Sequence, residues 1–251
     1  MGTIILVRHG ENDWSKSNKL AGRLPGVHLN ETGHQQAAAA AQRLAALPVK
    51  AVYSSPLTRC VETATYIADT HRLEVQQLED VGEVGYGEWE GRKIKKLVKK
   101  PLWRAVQFFP SRARFPGGEA LREVQFRAVQ ALEETAARHE KELIVVVSHA
   151  DVIRLLLAHY LGTHIDLFQR LVISPASASI LALSPDGMVR VLRVNDDGPL
   201  NMPASRQPAK DGKKDKKHRK SSPPALAAAP APVLATPANG RALAQAADEE
   251  E

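Results

Sequence analysis

Leu143–Val147 reads LIVVV, five apolar residues with no polar interruption, followed directly by Ser148-His149. A strand with one wet face alternates apolar and polar residues, so an unbroken run of this kind requires cover on both faces. Two other segments fit the same arrangement. Thr3–Val7 reads as a short buried strand ending at Arg8, and Ala51–Ser54 as a second. Helical segments lie between and after them. Thr32-x-x-Gln35 predicts a capping box before an alanine-rich helix that runs to about Leu47 and stops at Pro48. Ser55-Pro56 predicts a helix with a serine cap and proline at its first position. A further helix is expected from about Val152 to Leu161. Ser179–Leu183 and Met188–Val194 flank Pro185-Asp186-Gly187, a hairpin signal. Strands alternating with helices predict an α/β fold: three α-β-α layers, a mainly parallel central sheet and an antiparallel edge strand.

In such folds ligands bind beyond the carboxyl ends of the strands. The residues found there are Arg8-His9-Gly10-Glu11, Ser55-Pro56-Leu57-Thr58-Arg59 and Ser148-His149. One histidine or arginine at a strand end is an ordinary surface group. Three strands that deliver two arginines and two histidines to one rim point instead to a site for an oxyanion.

Composition limits the remaining classes. Lys+Arg is 34 against Asp+Glu 28, a net charge of +6, which admits nucleic acid or an anionic substrate as partner without requiring either. The single cysteine, Cys60, cannot form an internal disulfide. No apolar run approaches the roughly 20 residues of a membrane span, and no signal peptide or myristoylation pattern is visible at the amino terminus. The expectation is a reduced, cytoplasmic protein with no membrane partner. Pro199–Glu251 differs from the rest. It holds 8 of the 16 prolines, 13 alanines, no aromatic residue and the run Lys210–Lys220, and it carries half of the net charge. Such a stretch has too little apolar mass to offset its ordering entropy. The expected organisation is one folded domain over residues 1–198 and a disordered tail, Lys-rich and then Ala/Pro-rich, over 199–251.

Leu6-Val7-Arg8-His9-Gly10-Glu11 resembles the signature of the histidine phosphatase superfamily, the phosphoglycerate-mutase-like proteins. The likeness continues through Leu29-Asn30-Glu31-Thr32-Gly33, Ser54-Ser55-Pro56-Leu57-Thr58-Arg59-Cys60 and Glu83-Val84-Gly85-Tyr86-Gly87-Glu88-Trp89-Glu90-Gly91. It ends with Phe115-Pro116-Gly117-Gly118-Glu119 and Val147-Ser148-His149, so it covers residues 3–195 in order. More narrowly, Leu20-Ala21-Gly22-Arg23, Pro101-Leu102-Trp103 and Asp166-Leu167-Phe168-Gln169-Arg170 resemble an actinobacterial-type branch to which phosphomutase activity is ascribed.

The resemblance implies a ping-pong phosphoryl transfer with no cofactor and no metal. His9 would be the nucleophile, neutral because Arg8 and Arg59 depress its pKa, with a backbone carbonyl fixing its tautomer. Arg8, Arg59 and His149 would hold the phosphoryl oxygens, and Glu83 would be the proton donor. Glu88 and Glu90 compete for that role and rank lower, since they flank Trp89 in the loop's packing motif. Asn12 and Ser15 stand where the superfamily usually has Thr and Asn that help to bind the phosphoryl group, and Ala150 replaces a frequent glycine. The expected substrate is a small phosphorylated metabolite.

Several competing readings remain. A phosphomutase is the near alternative, although Tyr86-Gly87-Glu88-Trp89-Glu90-Gly91 is closer to the phosphatase pattern than to the mutase pattern Tyr-Gly-x-Leu-Gln-Gly. A binding protein that engages nucleic acid or an acidic partner through Lys210–Lys220 is the alternative of a different class. Cys60 lacks the Cys-x5-Arg spacing of cysteine phosphatases, since position 66 is Tyr66, and reads as a small buried helix residue. The other histidines show no zinc-ligand spacing. Arg92–Arg104 has seven basic residues and no acid, which suggests an electropositive lid. Ile94, Leu97, Val98 and Leu102 recur at helical spacing, however, and the preferred reading makes the lysines the solvated face of an amphipathic helix. Oligomeric state is not legible.

Overall fold

The computed structural model describes residues 2–184 and 186–198. The expected tail and Pro185 of the expected hairpin therefore lie outside the described residues. In chain order the elements are β1 (Gly2–Arg8), α1 (Asp13–Lys16), α2 (Glu31–Leu44), β2 (Val49–Ser54), α3 (Thr58–His71) and β3 (Val75–Gln77). They continue with α4 (Ile94–Leu97), α5 (Pro101–Phe108), α6 (Leu121–Arg138), β4 (Leu143–Ser148), α7 (Ala150–Tyr160), β5 (Ala178–Leu183) and β6 (Val189–Asp196).

The strands form one mixed sheet in the order β3-β2-β4-β1-β5-β6. β1, β2, β3 and β4 run parallel, and β5 pairs antiparallel with both β1 and β6. The period-two alternation of the central strands accounts for the three layers. Ile4, Leu6, Ile144 and Val146 face one apolar cluster, which α6 and α7 cover. Ile5, Val7, Val145 and Val147 face a second, covered by α2 and α3. Both faces are buried, as the unbroken LIVVV run demands. No helix among the described residues is long and apolar enough to cross a membrane.

Register brings the chemistry together. Arg8 pairs with Ser148 across β1 and β4, and Ser54 pairs with Val147 across β2 and β4. The ladder runs one residue further, with His9 N–H donating to the Ser148 carbonyl at 3.0 Å and Ser55 N–H to the Val147 carbonyl at 2.9 Å. The three polar strand ends are thus fixed on one rim.

Local details depart from the sequence expectations in four places. The cap of α2 is Asn30, not Thr32, because the Asn30 side chain reaches the Gly33 N–H at 2.8 Å. That helix ends at Leu44, three residues before Leu47. α3 begins at Thr58, and Ser55 is not its cap. The Ser55 hydroxyl is 2.8 Å from His149 Nε2, a stronger claim on it than the backbone N–H of Leu57 at 3.4 Å. Residues 92–104 do not make one helix: Pro101 cannot extend α4 and instead starts α5. β3 and α6 carried no sequence expectation.

Gly33, in the first turn of α2, shows why the chain needs a residue without a side chain there. A Cβ at Gly33 would stand 2.0 Å from the Glu11 carbonyl oxygen. Helix and loop touch backbone to backbone, and this contact seats the turn that carries His9-Gly10-Glu11. Gly33→Ala should push that turn away, lowering the thermal midpoint and at the same time reducing turnover; a variant that keeps both would contradict the close approach.

Candidate active site

Each strand end supplies a different function to one cavity of about 320 Å³. His9, beyond β1, is 5% exposed, and its Nδ1 lies 2.7 Å from the Gly10 carbonyl oxygen. A carbonyl only accepts, so Nδ1 carries the proton and Nε2 keeps its lone pair. That lone pair faces the Arg59 Nε–H at 3.4 Å. Burial, then Arg59, then Arg8 hold the His9 pKa well below 6.5, which keeps the ring neutral.

Arg59, in the first turn of α3, is 2% exposed and reaches the other groups with one guanidinium. Its Nη2 donates to the Gly22 carbonyl at 2.9 Å and to His149 Nδ1 at 3.2 Å, and lies 3.9 Å from Glu83 Oε2. Arg8 donates through Nη1 to the Ile173 carbonyl at 2.6 Å, while its buried Nε has no partner among the described residues.

His149 caps α7 and is fully buried, its ring 5.2 Å from that of His9 in an edge-to-face arrangement. Desolvation followed by the Arg59 charge lowers its pKa well below 6.5. A guanidinium only donates, so the Arg59 contact makes Nδ1 the acceptor, and the neutral ring carries its proton on Nε2, where the Ser55 hydroxyl oxygen accepts it.

Glu83 enters from the loop between β3 and α4. Its Oε1 accepts from the Val84 N–H at 3.0 Å, and its Oε2 lies 3.6 Å from His149 Nδ1. Desolvation first, and the negative charge of Asp151 second, push its pKa up to about 7 despite the opposing pull of Arg59. A carboxyl in that range holds a proton near neutrality and releases it easily. Glu88 is exposed, and Glu90 Oε1 accepts from the backbone N–H groups of Arg23 and Tyr86, at 3.1 and 3.2 Å. Glu90 thus braces the loop, and neither residue lines the cavity.

Residues 4–197 match the histidine phosphatase superfamily, branch 1.

The chain belongs to the histidine phosphatase superfamily.

Among its relatives, Phosphoserine phosphatase 1 of Hydrogenobacter thermophilus is 33% identical over 197 residues, covering 78% of this chain and 92% of that protein. The Metal-independent phosphoserine phosphatase of Arabidopsis thaliana is 38% identical over 157 residues, 60% of this chain and 65% of that protein. Among solved structures, Bacillus stearothermophilus YhfR superposes with a TM-score of 0.74 at 27% identity, covering 78% of this chain and 98% of the other.

In this superfamily member six of the seven residues singled out in the sequence line the cavity, and the seventh stands just behind it. Arg8, His9, Asn12, Ser15, Arg59 and Glu83 line it, and His149 lies directly behind through Arg59 and Glu83. Asn12 and Ser15 form a capping box on α1: Asn12 Oδ1 accepts from the Ser15 N–H and the Ser15 hydroxyl oxygen accepts from the Asn12 N–H, while the hydroxyl proton goes to the Asn12 carbonyl. The Asn12 amide nitrogen remains as a donor, whereas the Ser15 hydroxyl proton is committed to the cap. Cys60 sits under His149, its Sγ 3.4 Å from Nε2, and burial pushes its thiol up to about 12.

The lysines of residues 92–100 are exposed and none lines the cavity; Ile94, Trp103, Val106 and Gln107 do. That segment is a solvated face outside and an apolar wall inside. Sequence reasoning did not find the Glu119 brace. Glu119 holds the Gly85 N–H at 2.7 Å, Arg23 at 2.9 Å and Arg127 at 2.9 Å, and both arginines donate to the Glu83 carbonyl. Nor did it find Tyr86, Asp151 and Arg154, which line the same cavity. Among the described residues no group of three or more His, Cys, Asp or Glu is arranged to hold a metal ion.

Proposed function

We propose that this protein is a metal-independent phosphatase that hydrolyses small phosphate monoesters through a phosphohistidine on His9. The observation that carries the reading is a His9 whose Nδ1 is bonded to the Gly10 carbonyl and whose Nε2 faces Arg59, in a cavity that also holds Glu83, a carboxyl pushed up to about 7. His9 Nε2 attacks phosphorus, the ester oxygen departs, and Glu83 gives it a proton. The ionised Glu83 then takes a proton from water, whose oxygen attacks the phosphohistidine. The N–P bond breaks and inorganic phosphate leaves. Arg8 and Arg59 stabilise the equatorial oxygens and His149 positions the Arg59 guanidinium from behind, with the Asn12 amide as a further donor and Ser15 acting through the Asn12 cap. The unbonded Arg8 Nε and the long Arg59–His9 contact leave donors free for the phosphoryl group. This chemistry is assigned to residues 1–198.

The relatives named as phosphoserine phosphatases make phosphoserine the first ester to assay, and the Glu88-Trp89-Glu90 loop supports hydrolysis over mutase chemistry. Phosphate release from a panel of monoesters tests the proposal. Interconversion of phosphoglycerate isomers without phosphate release would favour a phosphomutase.

The acid has its own signature. Turnover of alkyl phosphates should fall as pH rises through about 7, where Glu83 loses its proton. The limb on the acid side lies well below 6.5, where His9 protonates. Glu83→Gln should remove the alkaline limb of kcat/KM, which reports only the steps through departure of the alcohol, and lower kcat/KM about 10²-fold or more on alkyl esters. It should cost much less on p-nitrophenyl phosphate, whose leaving group needs no proton. Equal losses on both would refute Glu83 as the acid.

A further inference from the structure

The phosphoryl chemistry leaves one arginine of the cavity without a task. Arg154 lies five residues beyond His149, about 7.5 Å along the axis of α7 at the usual helical rise. Helical side chains lean back toward the N-terminus. That lean brings its Nη1 to Asp151 Oδ1, at 2.8 Å. The Tyr86 hydroxyl donates to the other Asp151 oxygen, also at 2.8 Å. Asp151 is thereby clamped between two elements, and it fixes the guanidinium in turn.

Asp151 is the only acceptor that the Arg154 guanidinium has among the described residues, and its Nε is buried with no partner. Buried donors are normally bonded, so a guanidinium held in place yet left incomplete suggests that a ligand supplies the rest. Arg154 also acts on Arg8 as a nearby like charge. The cavity therefore gathers three guanidiniums, one more than the two that hold the phosphoryl group. Lys19, the other cation on the wall, is drawn over the Trp14 ring at 5.3 Å.

We propose that Arg154, oriented by Asp151 and Tyr86, is a specificity residue that binds a carboxylate on the organic part of the substrate. The inference rests on the phosphatase reading and narrows it to phosphate monoesters that carry a second anionic group. A planar guanidinium edge matches the two oxygens of a carboxylate, and a lysine would match them less well.

Two substrate pairs isolate the carboxylate: 3-phosphoglycerate against glycerol 3-phosphate, and phosphoserine against phosphoethanolamine. The full-length enzyme should prefer the carboxylate-bearing member of each pair in kcat/KM. In Arg154→Gln that ratio should fall about 10- to 100-fold, and Arg154→Lys should keep part of it. Because each ratio is internal, partial loss of folded protein does not affect it. Calorimetric binding of 3-phosphoglycerate and glycerol 3-phosphate to His9→Ala, with and without Arg154→Gln, reads the same preference without turnover. Hydrolysis with no preference, or a ratio that Arg154→Gln leaves unchanged, overturns the subsite and spares the phosphatase reading. Absence of hydrolysis with a binding preference that Arg154→Gln abolishes does the reverse. Failure of both esters to bind His9→Ala, or equal binding of the two, counts against the subsite.

Discussion

Replacing His9 with alanine should lower kcat/KM by at least about 10⁴-fold, because no other group in the cavity can replace its nucleophile. Cys60 is the nearest competitor by chemistry, but its thiol, pushed up to about 12, carries almost no thiolate at neutral pH. His149 is held neutral as well, yet its Nε2 is engaged by Ser55 and its Nδ1 faces Arg59 and Glu83. Rapid quench of the wild-type enzyme with a ³²P-labelled monoester should trap an acid-labile phosphoprotein, and His9→Ala should trap none. Label that persists in the variant would remove His9 from the mechanism. The variant should still fold, since the lost ring borders an existing cavity and its side-chain hydrogen bonds among the described residues go to the Gly10 carbonyl and Arg59 alone.

Arg59→Ala should be nearly as severe in kcat/KM, about 10³-fold or more, and it should change the pH profile as well. One guanidinium contacts His9, His149, the Gly22 carbonyl and the Glu83 carboxylate. Its removal takes away transition-state charge and leaves the buried Gly22 carbonyl without that donor. It also removes the second-largest cause of the low His9 pKa. The sign follows directly: with that positive charge gone, protonated His9 is less disfavoured, its pKa rises, and the acid limb of kcat/KM moves to higher pH. Glu83 moves upward too, because Arg59 is the largest of the influences that pull its pKa down, ahead of the Val84 N–H and Arg8. Arg59→Lys keeps the charge but lacks the fork that spans His9 and His149, so it should recover little of the rate. A lysine variant close to wild type would show that charge alone suffices and that the fork geometry is not used.

Much of this site was legible because it follows from short-range rules. The unbroken LIVVV run implied a doubly covered strand, and strand-end positions placed Arg8, His9, Arg59 and His149 on one rim. Other features were not legible, for physical reasons that differ from case to case. The cap of α2 went to Asn30 rather than Thr32 because Asn is as favoured a cap as Thr, and it is the Asn30 side chain that reaches a free N–H of the first turn, that of Gly33. Ser55 had the local signature of a cap, but a buried imidazole nitrogen across the site competes for its hydroxyl. The amphipathic pattern over residues 92–104 ignored Pro101, whose missing N–H and ring split the segment into two helices.

The sequence by itself determined which residue types stand at the strand ends, since strand period and strand termini are local properties of the chain. Only the tertiary structure decided their protonation and their pairings. Asp151 lies 68 positions from Glu83, yet its charge and the surrounding desolvation are what keep Glu83 protonated near neutrality. Glu119 likewise fixes the Glu83 loop from beyond α5. Burial and the distance between charges are set by the assembled cavity, and no spacing along the chain encodes them.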